Sequence, residues 1–168
     1  MAYVRSADGT RLFCSVESEK CLKIIDTTRN QILGTVPLTG TPNQLAITPD
    51  GKWIYVAIAD TGSADVVDVA ARQVVKTLPV GRHAHNCYCP KAAKFIYSTS
   101  IADHLVRQFD YRNGHTLAQT IRFDGGLGGF FGHAGPVEEC CRGARGQTRR
   151  PHIFHDARNR VARAFNTP

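Results

Sequence analysis

The sequence predicts an all-β protein made of repeated four-stranded units, and three observations carry that prediction. One pattern recurs at a step of 42 residues: Asp26, Asp68 and Asp110 close the segments KIID, VVD and RQFD, while Leu12, Ile54 and Ile96 sit inside RLFCSV, WIYVAI and FIYSTS. Within each copy, short runs rich in Val, Ile, Tyr and Trp are separated by turn signals such as Pro49-Asp50-Gly51, Thr61-Gly62-Ser63 and Ala70-Ala71-Arg72. Fifteen Gly and eight Pro against a single Met supply the punctuation that many short strands require.

The elements follow in order. The first copy predicts strands near 2–6, 11–16, 21–26 and 31–36, with Ser6-Ala7-Asp8-Gly9 as its first turn. The second predicts 44–48, 53–58, 64–69 and 73–78, and its turn Thr48-Pro49-Asp50-Gly51 repeats the earlier one. The third predicts 85–89, 95–99, 104–110 and 116–122. Here Pro90-Lys91-Ala92-Ala93 replaces the Pro-Asp-Gly turn, which implies a looser hairpin, and Thr120 is slipped by one residue relative to Thr35 and Thr77. Four antiparallel strands per unit of about 40 residues are the signature of a β-propeller blade. A β-sandwich also uses short strands and regular turns, but gives no reason for a fixed sequence period.

The segment PNQLAITPDGKWIYVAIADTGSADVVDVAARQVVKTLPVG resembles the YVTN-type β-propeller repeat: a small polar strand, a PDG turn, a YV strand, a V-x-V-I-D-like strand and a final strand ending in PVG. The resemblance covers residues 2–124. WD40 repeats match less well, because no Gly-His pair opens the units. The boundaries read as blade 1 over 2–40, blade 2 over 41–81, blade 3 over 82–124 and a Gly/Arg-rich tail over 125–168. Three blades form an incomplete ring, since propellers usually close with four to eight. Open flanks expose apolar surface suited to neighbouring blades, so the expected partners are missing blades or self-association at those flanks. YVTN-type relatives typically have seven blades, and a fragment of a longer propeller is the expectation; a homodimer giving six blades is the alternative.

The tail departs from the pattern. It holds eight Gly, seven Arg, no Lys and the adjacent Cys140 and Cys141, and the period vanishes. Such a composition is expected of GC-rich coding sequence read in a shifted frame, placed near residues 125–137. The tail reads as irregular or partly helical, with residues 156–165 as a short basic helix having Asp156 near its start. The chain's net charge of +7 is concentrated here. Arg142, Arg145, Arg149 and Arg150 lack true RGG repeats, which argues against nucleic acid as a partner. No apolar run is long enough to span a membrane. No signal peptide opens the chain, although the resemblance implies an exported, periplasmic or secreted full-length relative.

The candidate site is Gly81-Arg82-His83-Ala84-His85-Asn86-Cys87-Tyr88-Cys89, which leads into and forms the innermost strand of the third blade. The matching positions of the second blade are Pro42, Asn43 and Gln44. In YVTN-type and related lactonase or redox propellers, residues from several blades converge on one channel mouth. By that resemblance Arg82, His83, His85, Asn86, Asn43 and Gln44 are expected to bind a small-molecule or protein ligand. Strand alternation places His85, Cys87 and Cys89 on one face as a secondary metal-binding set. No cofactor is otherwise expected. Asp26, Asp68 and Asp110 read as turn-forming residues rather than a catalytic set, and Asp60, Asp65, Asp103 and His104 as solvated loop residues. Cys14 and Cys21 lie on consecutive strands and pair only if their registers match. With no catalytic residue assigned, the first function class is a binding or scaffold propeller segment; the alternative is a fragment of a lactonase-like or metal/redox-cofactor enzyme.

Overall fold

A computed structural model describes residues 1–91 and 94–123, and the backbone of two short strands beyond them. The chain divides into two compact units, Met1–His133 and Ala134–Pro168. In the second unit Phe154–His155 pairs antiparallel with Val161–Ala162. Residues 161 and 162 are therefore extended rather than part of the expected 156–165 helix, since their backbone bonds are made to another strand. The remainder of that helix, the proposed frameshift segment and the tail arginines lie outside the described residues.

The first unit contains three four-stranded antiparallel sheets, each with its strands in sequence order. They comprise β1 Ala2–Arg5, β2 Arg11–Val16, β3 Cys21–Asp26 and β4 Gln31–Pro37; β5 Pro42–Ile47, β6 Trp53–Ile58, β7 Ser63–Asp68 and β8 Gln73–Pro79; and β9 Ala84–Tyr88, β10 Phe95–Ser100, β11 Leu105–Asp110 and β12 Thr116–Arg122. The fold is a β-propeller segment of three blades, with the first strands of adjacent blades in contact. Among the described residues no helix is long and apolar enough to cross a membrane.

The turns explain why the repeat is legible. Asp26 accepts the backbone N–H of Thr28 and Arg29, Asp68 those of Ala70 and Ala71, and Asp110 those of Arg112 and Asn113. Each carboxylate closes the hairpin after its blade's third strand, a short-range bond that Asp makes readily. The first hairpins share a second device. The hydroxyls of Ser6 and Thr48 accept the N–H of Arg11 and Trp53 and donate to the carboxylates of Asp8 and Asp50, with the Arg11 and Trp53 carbonyls 3.3 Å away.

Packing follows from strand alternation. In β6, Ile54, Val56 and Ile58 face the first blade, joining Phe13, Leu22, Ile24 and Val36 in one core. Tyr55 and Ala57 face the other way, joining Ile96, Phe109 and Tyr111 of the third blade. The central blade is thus buried on both faces, and β6 reads as a continuous apolar run. At the outer flanks the same repeat positions stay open. Tyr3 is 71% exposed where Leu45 is 6%, Ile121 is 36% where Leu78 is 5%, and Phe123 is 43% where Val80 is fully buried.

Two expectations are corrected here. Asp65 is not solvated: it is fully buried and accepts bonds from the Thr39 N–H and hydroxyl and the Thr77 hydroxyl, all at 2.8–2.9 Å. It faces the first blade because it shares a side of β7 with Val67. Asp60 is exposed, as expected, and Asp103 half-buried; they accept the backbone N–H of Thr41 and Arg82. Cys14 and Cys21 are both free. The register pairs Cys14 with Lys23 and Cys21 with Val16, so the two sulfurs are diagonal neighbours rather than opposite partners, and diagonal separation exceeds disulfide reach.

Candidate functional site

The innermost strands carry a feature that alternation alone does not predict. In β5 the ladder runs Pro42↔Ile58 and then Leu45↔Val56, so Asn43 and Gln44 together oppose Ala57. In β9 it runs Ala84↔Ser100 and then Cys87↔Ser98, so His85 and Asn86 together oppose Thr99. Both are β-bulges, which add a residue to one strand and re-aim side chains. Pro42 and Leu45 are buried, as are Ala84 and Cys87, while the four bulge residues between them are half-buried. The bulges recur one repeat apart on neighbouring strands.

Hydroxyl groups fix these irregular backbones. Ser15 of the first blade donates to the Asn43 carbonyl at 2.9 Å. Ser98 donates to the Asn86 carbonyl at 3.1 Å, and Thr99 accepts the Asn86 N–H at 3.2 Å. The segment leading into β9 is held as firmly. Asp103 accepts from both the backbone N–H and Nε of Arg82 at 2.7 Å, and the Arg82 side chain is 79% exposed. Such an exposed pair adds little stability but fixes where the guanidinium sits. His83 adopts φ 55° and is exposed. Burial, and then the charge of neighbouring His83, holds His85 below the usual histidine range, so its ring is neutral at pH 7.

The expected metal set His85, Cys87 and Cys89 is spread by this geometry. The bulge breaks alternation and takes His85 off the face of Cys87. Among the described residues no group of three His, Cys, Asp or Glu side chains is placed to hold an ion. The two thiols have other employment. Cys87 is enclosed in the core against Ser98, and burial pushes its thiol up to about 12. Cys89 donates to the Phe95 carbonyl at 3.7 Å, the counterpart of the carbonyls that lie 3.3 Å from the Ser6 and Thr48 hydroxyls in their own hairpins. It is the turn residue of the third blade, with its thiol raised to about 11 by burial and by Asp50. Neither supplies a thiolate readily. Cys89→Ser should therefore be tolerated within about 0.5 kcal/mol, because the hydroxyl restores the bond of the other blades; urea unfolding checks this.

Sequence reasoning missed a second cluster, at the opposite end of the blades. His115 lies in the turn between β11 and β12, which is one residue longer than its counterparts and accounts for the slip of the third repeat. It is buried, its Nδ1 lies 2.6 Å from the Tyr55 hydroxyl, and its ring meets Trp53 edge-on at 4.7 Å. The slip was the available signal, but nothing in it names the second blade as the surface met. Two shallow clefts of about 390 and 380 Å³ also lie at this end, both bordered by Lys52 and Trp53.

Comparison with known proteins agrees with this architecture. No family model matches the chain. It is 35% identical over 63 residues to the seven-bladed beta-propeller protein Rv1057 of Mycobacterium tuberculosis, an overlap of 36% of this chain and 16% of that protein. A chain of hydrazine synthase from Kuenenia stuttgartiensis superposes with a TM-score of 0.69 at 25% identity, over 73% of this chain and 35% of that one. The WD40 repeats of RRP9 superpose with a TM-score of 0.67 at 15% identity, covering 74% of this chain and 39% of theirs, and show the fold alone. The chain thus spans well under half the length of each of these proteins.

Proposed function

We propose that the chain is a binding or scaffold segment of a YVTN-type β-propeller, with a ligand or partner held at the channel mouth and no catalysis by this chain alone. The observation that carries the reading is the pair of β-bulges, one repeat apart, that take Asn43, Gln44, His85 and Asn86 out of the regular ladder of the innermost strands. These residues offer amide donors and acceptors and a neutral imidazole, a set suited to orienting a polar ligand by hydrogen bonds. Arg82 adds positive charge beside them. The open outer flanks favour further blades, supplied by a longer chain or a second copy.

Zinc discriminates this reading from the enzymatic one. Calorimetric titration of the full chain with zinc chloride is expected to show no stoichiometric site at the mouth, because the neighbouring Cys87 is buried and the half-buried Cys89 is engaged in its own hairpin. A one-to-one site that disappears in His85→Ala would instead favour a metal-dependent propeller enzyme.

A further inference from the structure

We propose that His115 is a proton-operated latch between the second and third blades: its neutral ring, seated on Trp53 and Tyr55, fastens the β11–β12 turn to β6, and its protonation releases that turn.

The geometry is specific. His115 belongs to the third blade by sequence, yet its contacts are on the second. It is only 8% exposed, its Nδ1 is 2.6 Å from the Tyr55 hydroxyl, and its ring stands at 85° to Trp53. A further tie runs beside it, from Lys76 Nζ to the Gly114 carbonyl at 2.8 Å. Among the described residues the Tyr55 hydroxyl has no other acceptor, so Tyr55 donates and Nδ1 accepts. Tyr55 is deeply buried and its pKa is raised, so it keeps its proton throughout the accessible pH range. A proton added to Nδ1 therefore sets two donors face to face. Tyr55 must turn away or leave its own proton without an acceptor, a cost that buried polar groups bear in full.

The surroundings reinforce this. From β8, Lys76 faces the ring; from the β5–β6 turn come Asp50 and Lys52; from its own turn come Asp110, Tyr111 and Arg112; Cys87 and Cys89 lie near Tyr55. Asp50 and Asp110 are already engaged by backbone N–H groups of their own turns. Burial first, and Lys76 second, hold His115 below the usual histidine range. A histidine with a depressed folded pKa takes up its proton more readily when unfolded. The stability contribution is thus present above pH 6.5 and is lost as pH falls through the folded value.

Trp53 is the sole tryptophan of the sequence and lies against the ring, so its fluorescence reads the latch directly. Acid titration of the full chain is expected to give one transition with its midpoint below 6.5. His115→Gln, which keeps a neutral acceptor, should abolish it, and Tyr55→Phe should move it to higher pH. A flat titration, or the same transition in His115→Gln, overturns the proposal. Should His115→Gln fail to fold, NMR of the unsubstituted chain replaces it. The Trp53 indole proton and the His115 ring proton must then shift with one midpoint, and separate midpoints overturn the latch.

Discussion

Asp65→Ala is expected to lower the unfolding free energy by about 3 kcal/mol, a large part of what a small domain possesses. Three donors converge on this fully buried carboxylate, two from Thr39 and one from Thr77. Removing it takes the shared acceptor from the Thr39 N–H and two hydroxyls, and empties a fully buried position behind two threonines that are themselves exposed. Thr39 lies just after β4 of the first blade, so the same bonds also fasten the first blade to the second. Asp65→Asn retains one acceptor oxygen but introduces an NH₂ facing donors, and should fall between wild type and Ala. Urea midpoints at neutral pH measure both. A loss below about 1 kcal/mol for the Ala variant would mean that Thr39 finds other partners and that the clamp is not what joins these blades.

The same position shows where sequence reading succeeds and where it stops. The register of 42 residues places Lys23, Asp65 and Arg107 at one site of the third strand, each paired across the ladder with a threonine, Thr35, Thr77 or Thr120. Strand identity and turn chemistry are local properties. Asp26, Asp68 and Asp110 could be assigned to their turns because an Asx bond closes within three residues. Burial depends on the neighbouring blade. Nothing near Asp65 in the chain reveals that Thr39 will cap it, so a loop-side aspartate reads as solvated. The bulges are a third case. Alternation assigns His85, Cys87 and Cys89 to one face, but the offset between Ala84 and Cys87 arises from how β9 pairs with β10, and pairing register is not written in β9 alone. The polar pair Asn43-Gln44 and its counterpart His85-Asn86 were legible as unusual residues for an innermost strand. Their protrusion from the ladder was not.

A substitution at one repeat position, made in all three blades, tests the architecture as a whole. Phe13, Tyr55 and Tyr97 occupy equivalent places in the second strands. Phe13 packs into the core shared with the second blade and is 1% exposed, and Tyr55 is fully buried against the third blade. Tyr97 points to the open flank, where its hydroxyl accepts from Gln108 Nε2 at 2.8 Å. Phe13→Ala should cost about 3–5 kcal/mol, since it removes a ring from a closed, well-packed site and leaves a cavity. Tyr55→Ala should cost at least as much, because it also strands His115. Tyr97→Ala should cost about 1 kcal/mol, as no facing blade loses contact with it. Chemical unfolding with a common slope is the measurement, and the ordering is the decisive result. Equal losses at all three positions would mean that the third blade's flank is already covered, for example by a second copy of the chain. The concentration dependence of the Tyr97 variant's midpoint would then reveal that copy, because association stabilises only the folded state that forms it.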